Sequence, residues 1–321
     1  MDGILNIDKP EGWTSHDVVA RVRRLLKEKR VGHTGTLDPF ATGVLVVMVG
    51  RATRLAQFLS GDVKEYEATV RFGYATVTGD ATGARGADDE SSALGAQVCA
   101  WSNAEIEAAL SALRGEIEQV PPMYSAKKIA GRKLYELARK GETVEREARR
   151  VHVYEFEAVP RADGALLSFR EDGTCDMPVR VVCSAGTYVR VLAESLGERL
   201  GVGAHLASLR RTRAGEFRVE TALTIDELET KALEGTAANL LVSMNAALSE
   251  LPFVHLTTEE ARRVSNGMPL SLKSKERASY KAGERVRMRD ESGNLVAIGA
   301  YESQLEVVRP LVVLGSKENK H

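Results

Sequence analysis

No apolar run in this chain is long enough to span a bilayer. The first residues, MDGILNIDKPEGW, carry early acids and no extended apolar core, so they do not read as a secretory leader, and the expected compartment is the cytoplasm. Cysteine is scarce. Cys99, Cys175 and Cys183 are odd in number, widely spaced and form no C-x-x-C pair, which argues against a disulfide framework and a cysteine zinc site. Gly and Pro are not in excess, and no repeat or low-complexity segment appears. A formal net charge of −1 gives no global pull on a polyanion.

Charge is instead distributed in patches. Arg21–Arg30 holds six basic residues and one acid, and Lys127–Arg150 nine basics against four acids. Leu209–Arg218 and Lys273–Arg289 repeat the bias, with the acidic stretch Ile225–Gly235 between them. Basic segments in a neutral chain suit a phosphate-lined ligand held by one face, although solvated helix faces give the same pattern.

Several elements can be read from periodicity. Thr14 and Ser15 open a helical pattern that continues through residues 14–30, with Val18, Val19, Val22, Leu25 and Leu26 on one face. Val44–Val49 is an unbroken apolar run of strand length, Gln57–Gly61 resembles a helix end, and Lys64–Thr76 alternates as a strand. Residues 79–100 are small and polar and read as an exposed loop. Ala104–Leu113 has a helical pattern with Asn103 as a possible cap, the consecutive prolines near residue 121 exclude a helix there, and Lys133–Lys140 reads as a short basic helix. Three alternating segments between residues 149 and 186 predict strands, followed by a helix over Thr187–Leu200 and another over Ala237–Leu251. These elements do not alternate as regular βαβ units, so the expected class is α+β. Beyond Pro252, short β-like runs punctuated by Gly283 and Gly293 predict a small, separate β module, with a domain boundary near residue 250.

Asp38 stands out. It precedes Pro39 on a predicted tight loop, among glycines, threonines and apolar residues, immediately ahead of a core strand. A turn aspartate bonded to its own backbone is one reading, and a carboxylate presented to a substrate is the other. A metal hydrolase built on His33 with Asp38, or His16 with Asp17, has no recognised zinc spacing and no third ligand. The glycines of GHTGTLDPFATG lack G-K-[ST] and precede a strand, so they do not form a phosphate-binding loop. A nucleic-acid enzyme needs basic walls, a few aromatics and one reactive group in a dry pocket, and this chain supplies all three.

Five segments, in order, resemble the bacterial TruB-type tRNA pseudouridine synthases: Leu5–Val19, Gly32–Leu45, Lys64–Ala68, Gln119–Gly141 and Cys183–Phe217. The resemblance implies the pseudouridine synthase fold, a mixed and largely antiparallel sheet flanked by helices over residues 1–250. It also implies a basic thumb at about 124–150, a PUA-like RNA-binding pseudo-barrel at 251–315 and a tail at 316–321. The implied reaction is isomerisation of uridine-55 in the tRNA T loop to pseudouridine, with base flipping and no cofactor or metal. The implied partner is the tRNA T-arm stem-loop, met by a monomer that does not engage a membrane.

The resemblance also assigns residues. Asp38 matches the essential aspartate, which either attacks the substrate covalently or removes a ribose proton to give a glycal. Tyr66 matches the tyrosine that packs on the target base and is a candidate base for removal of the C5 proton. Arg190 matches the arginine paired with the carboxylate, its planar fork expected to fix the carboxylate's orientation. Tyr188 is expected on the same side, two residues earlier on an alternating strand. Leu209 matches an apolar wall of the base pocket, and His33 a histidine that contacts the substrate loop. Lys9 and Tyr135 are expected to support the fold. The reading of an RNA-binding or chaperone module without catalysis is disfavoured by the joint presence of Asp38, Tyr66 and Arg190. A guided or rRNA-directed relative is disfavoured by the compact chain without long basic tails.

Overall fold

The computed structural model describes residues 1–61, 63–86, 101–125, 128–129, 132–133, 144–272 and 280–314. In its first half, strands run over Gly3–Lys9 (β1), Val31–Thr34 (β2), Thr42–Val49 (β3), Lys64–Phe72 (β4), Gly115–Gln119 (β5), Lys128–Ile129 (β6) and Arg132–Lys133 (β7). They continue over Arg149–Ala158 (β8), Ser168–Phe169 (β9), Cys175–Cys183 (β10), Ala204–Ala214 (β11) and Phe217–Arg218 (β12). The C-terminal part adds Phe253–His255 (β13), Leu270–Ser271 (β14), Arg285–Arg289 (β15), Leu295–Glu302 (β16) and Val307–Val313 (β17). Helices span Ser15–Leu26 (α1), Ala56–Leu59 (α2), Asn103–Ser111 (α3), Val189–Arg199 (α4), Ile225–Leu233 (α5) and Thr258–Ser265 (α6).

The main sheet is ordered β1-β3-β11-β4-β10-β8-β5, with β2 beside β3, β9 beside β10 and β12 beside β11. Its pairings are antiparallel except that of β3 with β11, which meet through Arg210↔Thr42 and Arg211↔Gly43. A second sheet, ordered β13-β15-β16-β17-β14, forms the C-terminal unit. The expected α+β, largely antiparallel architecture with a small C-terminal β unit is therefore present.

Burial explains why the strands differ in pattern. Leu45, Val47 and Val49 of β3 pack against Val18 and Val22 of α1 and Leu228 of α5. Val44, Val46 and Met48 face the opposite way, into Leu55, Leu59 and Phe217. Covered on both faces, β3 carries no polar alternation. By contrast, β4 turns Tyr66, Ala68, Val70 and Phe72 into a core shared with α3 and α4. Its Glu65 and Arg71 lie on the solvent face, paired with Arg180 at 2.9 Å and Asp176 at 2.7 Å.

Capping side chains fix the helix starts. Thr14 and Asp17 form a capping box on α1, and Ser102 and Glu105 do the same on α3, so Ser102 and not Asn103 is the cap there. Five other expectations are corrected or fall outside the described residues. Residues 237–251 form two short 3-10 turns at Ala237–Leu240 and Ala246–Leu248, because Val242 between them exchanges backbone bonds with Ile4 at 2.9 and 2.8 Å. The segment 79–86 is not simply exposed, since Asp80 is only 4% accessible. The C-terminal sheet is not separate: Leu295, Ile298 and Leu314 join the same core as Val44, Leu55 and Phe217. The helix expected over Lys133–Lys140 lies outside the described residues save for Lys133, which ends β7, and most of the expected thumb lies outside them too.

Candidate active site

Asp38 occupies the loop between β2 and β3, and neighbouring elements hold that loop from several sides. Ala41 donates its N–H to the Asp38 carbonyl at 3.1 Å, which closes the turn. The Ser15 hydroxyl, at the start of α1, accepts from Leu37 N–H at 2.9 Å and donates to Leu37 O at 3.1 Å. The fully buried Lys9 donates to the carbonyls of Pro10, Trp13 and Pro39 at 2.9, 2.6 and 3.2 Å. Burial lowers its amine to about 8, opposed by the nearby Asp38 charge. Lys9 thus holds the Asp38–Pro39 turn through backbone carbonyls.

The loop opens onto a cavity of about 330 Å³, within the usual range for small-ligand sites. Asp38, Tyr66, Tyr188, Arg190 and Leu209 all line it. Arg190 Nε lies 2.9 Å from Asp38 Oδ2. The expected two-point grip is absent, because the remaining guanidinium nitrogens are committed elsewhere. Nη1 donates to Thr78 O at 2.6 Å and Nη2 to Tyr124 O at 2.7 Å. Three elements therefore share one guanidinium, and its orientation is set by carbonyls as much as by the carboxylate. Nor does Arg190 lie on a strand with Tyr188. Tyr188 caps α4 in extended conformation and Arg190 sits in the first helical turn. The Tyr188 backbone exchanges hydrogen bonds with the Gln119 side chain at 2.9 and 3.3 Å.

Two carboxylates flank Arg190 besides Asp38. Asp80 Oδ2 is 3.9 Å from Arg190 Nη1, while its Oδ1 accepts from the Thr78 hydroxyl and Thr82 N–H at 2.8 and 2.9 Å. Glu194, one turn along α4, is raised to about 7 by burial, an effect the Arg190 charge opposes. For Asp38 the balance is similar. Burial raises its carboxyl above the ordinary range, Arg190 pulls it down and the Asp80 charge pushes it up.

Tyr66 on β4 is 8% accessible. Burial raises its phenol, while the charge and hydrogen bond of Arg211 favour the phenolate. Arg211 is itself fixed by donating to Val44 O at 2.7 Å and Gly35 O at 2.9 Å. Arg211, Lys64 and Asp80 are site residues that sequence reasoning missed. Arg211 had a signal, since it lies two residues after Leu209 on one strand and so shares its face. Asp80 had a weaker one, a threonine two residues to either side, suited to a side-chain-closed turn.

His33 is not brought to the cavity wall. It lies on β2 opposite Val47, its ring edge-on to His16 at 5.5 Å, and burial lowers it to about 4. Cys183 is buried, and its thiol is pushed up to about 11, so it offers no thiolate nucleophile. Among the described residues no three His, Cys, Asp or Glu side chains cluster as a metal site.

Residues 23–189 match the TruB family pseudouridylate synthase (N terminal domain), and residues 190–249 match the tRNA pseudouridylate synthase B C-terminal domain. The chain is 48% identical over 279 residues to the tRNA pseudouridine synthase B of Geobacillus kaustophilus, covering 85% of this chain and 92% of that protein. It is 43% identical over 271 residues to the tRNA pseudouridine synthase B of Bacillus cytotoxicus, covering 84% of each. Among solved structures, the archaeal box H/ACA sRNP Nop10-Cbf5 complex contains a chain that superimposes with a TM-score of 0.70 at 27% identity. That superposition covers 98% of this chain and 87% of the other. With two family domains matched in order and a pocket that gathers Asp38, Tyr66 and Arg190, the chain belongs to the TruB family of pseudouridine synthases and is an isomerase.

Proposed function

We propose that this enzyme converts uridine-55 in the T loop of tRNA to pseudouridine by flipping the base into the cavity, with Asp38 as the essential carboxylate and no cofactor. The observation that carries the reading is the Asp38–Arg190 pair at 2.9 Å on the wall of a cavity also lined by Tyr66 and Leu209. Curated relatives named for tRNA support the substrate.

The isomerisation breaks the N1–C1′ bond, forms C5–C1′, removes a proton from C5 and adds one to N1, with no change in oxidation level. The glycosidic bond of a stacked nucleotide is out of reach, so the nucleotide must leave the stack, and packing against an aromatic ring offsets part of that cost. Tyr66 and Leu209 form the walls for the base. Asp38 then acts on the ribose side, by covalent attack or by proton removal. Both routes need the ionised carboxylate, and Arg190 favours it. Tyr66 is the acceptor for the C5 proton, acting as a phenolate whose own proton has gone to N1; burial resists that ionisation and Arg211 favours it. Tyr188 is a substrate-binding wall, and His33 contacts the substrate loop from outside the cavity. Residues 251–315 add phosphate contacts, and the enzyme works as a cytoplasmic monomer.

Incubating the purified protein with unmodified tRNA and mapping pseudouridine by carbodiimide treatment and primer extension tests this reading. A new stop specific to position 55 is expected. A stop at another position would reject the site assignment, and none at all would reject the reaction.

A further inference from the structure

Ser125 follows the residue whose carbonyl anchors Arg190, and it lines the same cavity as Asp38. It is 4% accessible, and its Oγ has no hydrogen-bond partner among the described residues. A buried hydroxyl without a partner costs the fold, because water has been removed and nothing replaces it. Such a group in a ligand cavity is explained when the ligand completes it.

Depth in the cavity indicates which part of the ligand does so. Among the residues lining it, Gly35, Thr36, Ser60 and Gly186 are exposed to solvent, whereas Tyr66, Leu209, Arg211 and Ser125 are buried. The Asp38 side chain, 32% accessible, is intermediate in exposure between the two groups. Asp38 acts at the ribose, so groups deeper than it meet the base and groups above it meet the backbone. We propose that the Ser125 hydroxyl hydrogen-bonds the imide edge of the flipped uracil and positions the ring for both halves of the isomerisation. This inference rests on the pseudouridine-forming reading of the site.

The chemistry of the ring favours a hydroxyl in this place. Exchanging N1 for C5 turns the uracil about the axis through N3 and C6, which swaps O2 with O4 and leaves N3–H in place. A fixed hydroxyl facing this edge therefore meets the same kind of atom before and after the turn. It donates if a carbonyl oxygen is opposite and accepts if N3–H is.

The test compares Ser125→Ala and Ser125→Cys with the parent enzyme in single-turnover assays on unmodified tRNA, alongside thermal melting and tRNA binding. Both variants should slow pseudouridine formation roughly tenfold, the worth of one neutral hydrogen bond. Binding should stay within about twofold, since most affinity comes from phosphate contacts. Melting temperature of the Ala variant should be unchanged or higher, because an uncompensated hydroxyl has been removed. Parent-like rates in both variants would overturn the proposal. So would a lowered melting temperature in the Ala variant, which would mark Ser125 as a structural residue. Restoration of the rate by Cys alone would overturn it too, because that outcome assigns the effect to packing volume. A parent enzyme that forms no pseudouridine would reject the reaction itself, an outcome distinct from any of these.

Discussion

Burial raises the Asp38 carboxyl and Arg190 offsets part of that rise, so the ionised form that chemistry needs is the form the fold disfavours. A carboxyl raised on folding contributes stability below its unfolded value and loses that contribution as pH rises through its folded value. Asp38→Asn should therefore melt above the parent at pH 8, with the gap closing near pH 4, while making no detectable pseudouridine. Differential scanning calorimetry at the two pH values checks the sign, and parent-like turnover by the variant would refute the role. Arg190→Met removes the charge that lowers Asp38, so its acidic activity limb should move to higher pH. An unchanged rate–pH profile in a folded Arg190→Met protein would refute that coupling. Glu194, raised to about 7, follows the same rule. The melting advantage of Glu194→Gln should open between about pH 4.5 and 7 and stay constant above, and a flat difference across that range would count against it.

At the level of elements, the legible features were those written in local chemistry. The Thr14 cap of α1, the unbroken apolar run of β3 and the alternation of β4 all follow from side-chain type and period, whereas the α3 cap falls one residue earlier than read, at Ser102 and not Asn103. The illegible ones depend on distant backbone. Nothing in Ala237–Leu251 announces that Val242 will bridge to Ile4. Nor does the sequence around Arg190 disclose that Thr78 and Tyr124 carbonyls will take two of its donors. The candidate site was read by resemblance at Asp38, Tyr66 and Arg190, while Arg211, Lys64 and Asp80 needed the assembled sheet. One glycine ties that sheet to the site. Gly43 has φ of +98°, and a Cβ there would lie 2.2 Å from the Arg211 carbonyl oxygen. Backbone cannot yield to such a contact, so β3 and β11 would separate where the Asp38 loop joins the Arg211 strand. Gly43→Ala should cost about 3 kcal/mol or more and lower turnover further than the stability loss explains. Urea melts with activity measured on the folded fraction check it, and a loss below about 1 kcal/mol would contradict the geometry.

Across the whole molecule, the C-terminal sheet is bound into the catalytic part by apolar contact and by arginines. Arg51 donates to Leu314 O at 2.7 Å and Arg54 to Val313 O at 2.6 Å. Arg287 donates to the carbonyls of Leu251, Asn245 and Ser249 at 2.8, 2.9 and 3.0 Å. Leu295, Ile298 and Leu314 are each less than a tenth accessible in the shared core. Burial of a large aliphatic side chain is worth about 1.5–3 kcal/mol, so these three supply roughly 5–9 kcal/mol. That is comparable to the entire stability of an ordinary protein, about 5–15 kcal/mol. Truncation near residue 250 should therefore leave a chain that has lost cooperative thermal melting and exposes Leu55, Leu59 and Met48 to solvent. Calorimetry and near-UV circular dichroism of the truncated protein decide the matter. A sharp transition within a few degrees of the parent would show that the shared core adds little. It follows that an RNA-binding role for this sheet is better tested by neutralising surface charge in the intact chain. The exposed Lys281, beside β15, suits the purpose. If it meets phosphate, Lys281→Gln should weaken tRNA binding, lower the salt slope by about one and leave single-turnover chemistry on an isolated T-arm stem-loop unchanged. An unaltered salt slope would place the phosphate contacts elsewhere.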